Sequence, residues 1–185
     1  MADEFKIKEQ QLLEQISDDN AEAMYLLGLH YYNNQRIGEA CDWFEKASFL
    51  GHGDACYYLG LFHETEAPTS ENEKHNLMQA DIYYAIGTDC KSPKATCKLG
   101  KMYLYGIRLK VDTEKGIQLL RKAVRLKSVD ACEELAICYE KGIGVEIDLK
   151  KSAKYAKKLP SWLKAKTYNI KYKSPCFANN SITYY

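Results

Sequence analysis

The 185-residue chain holds only 4 prolines and 11 glycines, too few for collagen-like or long low-complexity segments. It has no run of about 18 apolar residues, so nothing in it reads as a membrane-spanning helix and no membrane contact is expected. The opening stretch, MADEFKIKEQQLLEQISDDN, is charged throughout and lacks the apolar core of a secretory signal. A cytoplasmic protein is the expectation that follows. There is no C-x-x-C and no H-E-x-x-H, and His30, His52, His63 and His75 stand apart, so no metal site is expected. Seven cysteines form an odd set without an export signal, which favours reduced, mostly buried thiols.

Catalytic signatures are also missing. The loop KGIGV (141–145) lacks both the Gly-Lys-Ser/Thr ending and the preceding strand of a phosphate-binding loop. Ser161 and Lys164 form an isolated S-x-x-K without its S-D-N and K-T-G companions. No enzyme, cofactor or small-molecule substrate is expected.

Tyrosine and segregated charge are what the chain does have. Its 15 tyrosines against 5 phenylalanines suit half-buried positions and binding surfaces, since the ring packs while the hydroxyl stays wet. Residues 1–92 carry 17 acids and 6 bases, whereas residues 93–185 carry 8 acids and 20 bases. An elongated molecule so built has one acidic and one basic end, which can steer a partner or favour head-to-tail self-association. Solvated faces are the plainer reading of the same charges.

Four segments repeat a pattern of small residue, leucine four later, then another small residue. They are Ala23-Leu27-Gly28, Ala55-Leu59-Gly60, Ala95-Leu99-Gly100 and Ala131-Leu135-Ala136. Tyr31, Tyr103 and Tyr139 follow the leucine by four in three copies, and His63 replaces the ring in the other. Residues at i, i+4 and i+8 form one helix stripe, and the small residue beside the leucine admits a second helix closely. Successive leucines are 32, 40 and 36 residues apart, the period of stacked helix hairpins. A second amphipathic helix follows each time: Ala40-Trp43-Phe44-Ala47, Ala80-Tyr83-Tyr84-Gly87, Gly116-Leu119-Leu120-Ala123 and the weaker Ser152-Tyr155-Ala156-Leu159. Ser92-Pro93, Asp112, Asp148 and a Ser70–Glu73 capping box mark expected helix starts.

These residues resemble the Sel-one-like repeat, a relative of the tetratricopeptide repeat. The fourth unit matches best, with Ala131, Leu135, Tyr139, Gly142, Gly144, Val145, Asp148 and Lys151; the third loses its second turn glycine to Arg108. The resemblance implies an all-α fold, a right-handed α-solenoid of four stacked antiparallel helix hairpins. It also implies an adaptor or scaffold that binds another protein or peptide. Cysteine-rich members staple neighbouring helices, but Ser48 and Val124 stand where partners for Cys56 and Cys132 would be, so those bridges cannot form. Cys90 and Cys97 could meet only across the second-to-third junction, and no disulfide is expected.

The expected organisation is a capping helix at 1–19, with Leu12, Leu13 and Ile16, followed by repeats at 20–52, 53–92, 93–128 and 129–166. The last includes a short capping turn in which Trp162 covers the final core layer. Residues 167–185 form an irregular tail. The first helix of each unit should line the concave face, through positions two before, one before, two after and five after the marker leucine. Those positions nominate Tyr25, Leu29, Tyr32, Tyr57, Tyr58, Leu61, Glu64, Lys98, Lys101, Glu133, Glu134 and Ile137 as partner-binding residues. The tyrosines can instead pack between adjacent repeats. Lys150, Lys151, Lys154, Lys157 and Lys158 form a basic patch, which fits a solvated face or an acidic protein better than nucleic acid because arginine is scarce. An inhibitor or immunity-type protein neutralising one toxin or enzyme is the alternative within binding proteins.

Overall fold

The structure, a computed structural model, describes residues 2–16, 19–66 and 72–160. The expected capping turn with Trp162, the tail at 167–185, and Ser70 and Glu71 lie outside them. The described residues form nine helices: α1 (Ala2–Leu13), α2 (Ala21–Asn33), α3 (Ile37–Phe49), α4 (Gly53–Glu66), α5 (Glu73–Asp89), α6 (Pro93–Tyr105), α7 (Thr113–Arg125), α8 (Val129–Lys141) and α9 (Leu149–Ala156).

Local chemistry sets most boundaries. Asn20, Ser92, Asp112, Ser128 and Asp148 each accept the backbone N–H three residues on, satisfying a donor that the first turn leaves unpaired. The imidazole of His52 does the same for Ala55 at the start of α4. Each turn between consecutive hairpins has one left-handed residue: Gly51, Lys91 or Lys127. The next residue's N–H then returns to the carbonyl five back, as in His52 to Ala47, Ser92 to Gly87 and Ser128 to Ala123. One start differs from the expected capping box: α5 begins at Glu73, with Asn72 at its cap and no side-chain cap bond, two residues later than a cap at Ser70 implies.

Helices pair as α2–α3, α4–α5, α6–α7 and α8–α9, and each second helix then packs on the next first helix. Members of the first-helix row also meet directly, α4 with α6 and α6 with α8, which makes that row the inner side of the curve. The result is an all-α solenoid, with α1 laid against α2. Leu12 of α1 is buried in the first core, Leu13 is exposed, and Phe5 stacks on His30 at 4.3 Å between ring centres. Leu27, Leu59 and Leu135 are fully buried, while Leu99 is partly covered.

The small residue beside each leucine works in two ways. A Cβ on Gly28 or Gly60 would stand within 2.7 Å of the Phe44 ring or 2.6 Å of the Tyr84 ring, so these glycines make room for buried aromatics. Gly100 instead faces Gly116, and there the two helix backbones come together, as the sequence pattern anticipates for every copy.

Candidate partner-binding surface

The register of the repeat determines where each first-helix side chain goes. Positions two before and five after the marker leucine lean towards the following hairpin. Tyr25 stacks on His52 at 4.2 Å, Tyr32 meets Tyr58 edge-on at 5.1 Å, and Leu104 is buried in the core shared with α8. The position one before the leucine leans back: Tyr58 stacks on Phe44 at 5.0 Å, and Lys98 reaches Glu64 at 2.7 Å. Glu134 likewise takes Lys101 at 2.7 Å and the Tyr105 hydroxyl. Leu29, Leu61 and Ile137, two after the leucine, remain half-exposed.

Ten of the twelve nominated residues therefore keep some exposure, and two do not. Tyr25 and Glu134 are each only 7% exposed, contrary to the expectation that they line an open face. The reason is contact across the repeats: Tyr25 packs on His52 and Tyr58, and Glu134 takes Lys101 and the Tyr105 hydroxyl, so both side chains lie in a seam. Glu64, Lys98 and Lys101 reach the surface but are tied to neighbouring repeats. The two readings left open for the tyrosines divide accordingly: Tyr25 fills the seam, while Tyr32, Tyr57 and Tyr58 join the seam and still show part of their surface.

At the start of α6, against the tyrosines of α2 and α4, stands Lys94, which the sequence reading does not single out. Its ammonium lies 3.2 Å from the Tyr58 hydroxyl, 3.4 Å from that of Tyr25 and 3.9 Å from Asp54. The Tyr58 and Tyr57 ring centres are 4.7 and 5.9 Å away. Burial works against its charge, but the Tyr58 hydroxyl, Tyr25 and Asp54 outweigh it and hold the lysine above its ordinary value. Burial also pushes the Tyr25 hydroxyl up to about 12, with Lys94 opposing. The result is a fixed cation framed by rings. One signal could have found it: the position five before each marker leucine is charged in all four units, as Glu22, Asp54, Lys94 and Asp130.

A second hub surrounds Glu64. It accepts from the Tyr84 hydroxyl at 2.8 Å, from Lys98 and from Arg108, which also grips Asp81 at 2.7 Å. Burial alone would raise this carboxyl, but the three donors outweigh burial and lower it. Arg108 reaches these acids from a left-handed backbone, φ +60°, occupying the conformation that Gly144 uses one repeat later.

The five lysines of the basic patch are all exposed. Lys151 pairs with Asp148 at 3.2 Å, and Lys158 lies over the Tyr155 ring. His63 stacks on Tyr83 at 5.5 Å, and burial lowers its pKa. Cys41, Cys56, Cys90, Cys97, Cys132 and Cys138 are free thiols, and burial raises Cys97 to about 12, Cys56 and Cys138 to about 11. Among the described residues no three His, Cys, Asp or Glu side chains come together to hold a metal ion, and no helix is long and apolar enough to cross a membrane.

A row of hairpins with an exposed inner face defines a helical-repeat solenoid. The Sel1 repeat model matches residues 21–52, 53–75, 93–128 and 129–159, and the chain belongs to that family. Sel1 repeat proteins are generally protein–protein interaction scaffolds, and typically not enzymes. A curated relative, "Activator of C kinase protein 1" of Saccharomyces cerevisiae, is 30% identical over 138 residues, 64% of this chain. The match spans only 22% of that relative.

Among solved structures, the chain is similar to c5321, a protective antigen of uropathogenic Escherichia coli with an SLR fold. The TM-score is 0.65 at 26% identity, over 88% of this chain and 34% of that one. A Sel1 repeat protein of Oxalobacter formigenes gives a TM-score of 0.66 at 25% identity, over 89% and 64%. A Klebsiella pneumoniae sel1 repeat protein, at 23% identity and a TM-score of 0.61 over 81% and 72%, shares the fold.

Proposed function

We propose that this chain is a scaffold that holds a protein or peptide on its inner face. Leu29, Tyr32, Tyr57, Tyr58 and Leu61 take aliphatic or aromatic side chains, and Lys94 takes an adjacent carboxylate. The observation that carries this reading is the fixed ammonium of Lys94 among Tyr25, Tyr57 and Tyr58, beside half-exposed apolar side chains. Large rigid rings packed beside a partly exposed charge are a composition that suits an interface hot spot. The yeast relative's name describes a protein that acts on another protein, which agrees with this role.

Affinity capture with mass spectrometry identifies the partner, and two substitutions locate it. Tyr57→Ala and Lys94→Met should each weaken binding by roughly tenfold or more, the size of a hot-spot truncation. Helix content by circular dichroism should be retained. Unchanged affinity in both variants would remove the inner face from consideration. Tyr25→Ala is a poor probe, because that ring is built into the first seam.

A further inference from the structure

Met78, Ile82 and Ile86 follow one another at four-residue spacing along the outer side of α5, 53%, 43% and 42% exposed, with Ala85 exposed beside them. Aligning the second helices on Ala40, Ala80, Gly116 and Ser152 shows that this stripe is particular to α5. The same three positions are Gly38, Asp42 and Lys46 in α3, and Glu114, Gln118 and Lys122 in α7. In α9 they are Lys150, Lys154 and Lys158. The hairpin therefore does not need apolar side chains there, and the three sister helices do without them. A contiguous apolar row on an otherwise polar face marks a contact surface.

We infer that a second copy of this chain covers the stripe, the two α5 helices packing antiparallel about a two-fold axis at Ile82. That register sets Ile82 against Ile82, and Met78 against Ile86 of the second copy. It also brings Lys74 and His75 beside Asp89 of the second copy.

The charges at the two ends of the stripe favour this occupant. Lys74 and His75 stand near the start of α5 and Asp89 is its last residue, so the helix's own dipole opposes each charge. An antiparallel neighbour reverses both relations. Its negative C-terminal end and Asp89 approach Lys74, while its positive N-terminal end and Lys74 approach Asp89. Glu73, which would repel Asp89 of the second copy, is nine residues from Ile82; at about 100° per residue it falls on the opposite side of the helix. A parallel pair would instead set Lys74 against Lys74 and Asp89 against Asp89.

One helix face from each copy covers less than the roughly 1,200 Å² at which standard interfaces begin, so the dimer is weak and reversible. With α5 antiparallel, the two arrays run side by side with like-charged halves adjacent. Salt at about 0.3 M screens that repulsion, and head-to-tail attraction with it, to under about 8 Å, while apolar burial persists.

Sedimentation velocity of the full chain in about 0.3 M salt tests the proposal. Wild type should pass from monomer to dimer between about 5 and 500 μM, the range of weak complexes. Ile82→Lys, which gives α5 the residue that α9 carries at this position, should raise the midpoint by about tenfold or more with helix content unchanged. Lys74→Glu and Asp89→Lys should each weaken the dimer by roughly two- to fivefold, and the double variant should recover most of the loss. A chain still monomeric at about 500 μM overturns the proposal, whether another part of the chain or a different protein covers the stripe. A dimer indifferent to Ile82→Lys uses another surface and overturns it too. Charge reversals whose losses add in the double variant overturn the antiparallel register.

Discussion

Single residues in this molecule act mainly by crossing from one repeat to the next. Glu64 is the clearest case: Tyr84 reaches it from its own hairpin, Lys98 and Arg108 from the following one. Its side chain is 22% exposed, so the ion pairs are well shielded from solvent. Because its folded-state pKa is lowered, its contribution to stability is fully present above the ordinary glutamate pKa of about 4.3 and is lost as pH falls through the folded value. Glu64→Gln should therefore lower stability by about 1–3 kcal/mol at neutral pH. The deficit against wild type should shrink as pH drops below about 4. Urea unfolding across that range checks both signs; a deficit that stays constant with pH would show that the carboxylate charge contributes nothing. Arg108 adds a second lesson, since it accepts a left-handed backbone, disfavoured for a side chain with a Cβ, in exchange for Glu64 and Asp81.

At the scale of helices, α6 and α7 approach each other closely at a pair of glycines. A Cβ on Gly116 would come within 2.8 Å of the Leu104 nitrogen and 2.9 Å of the Gly100 oxygen, and backbone atoms cannot move aside as a side chain can. Gly116→Ala should cost about 1–3 kcal/mol by forcing the helices apart. Gly38→Ala, with nothing within 4 Å of the added methyl, should be neutral or stabilising by up to about 1 kcal/mol. Equal effects in chemical denaturation would mean that helix propensity, not contact, governs both sites. Much at this scale was readable beforehand. Caps such as Ser92, Asp112 and Asp148 act on a donor three residues away, and the Ala-Leu-Tyr stripe lies within one helix. The α5 start was misread because Ser-Glu-Asn-Glu holds two candidate caps, and local sequence does not choose between Ser70 and Asn72.

For the whole molecule, stacking in chain order converts segregated charge into a long dipole, with acidic α2–α5 followed by basic α6–α9. Head-to-tail association of copies is a consequence we propose from it. Sedimentation velocity should show concentration-dependent association at low ionic strength. At about 0.1 M salt, where the screening length is about 10 Å, that association should fade. Identical sedimentation at both salt levels would count against a role for the dipole in assembly.

What the sequence determined unaided was the repeat, its register, the hairpin pairing and most helix starts. Each of those depends on contacts a few residues apart or on a pattern that recurs along the chain. Tertiary structure alone decided that Tyr25 and Glu134 enter the seams, that Lys94 sits among three tyrosines from two earlier units, and that Arg108 spans to Asp81 and Glu64. Those outcomes follow from the angle at which one hairpin leans on the next. That angle is set by the joint packing of all the buried side chains between them, a quantity that no single segment carries.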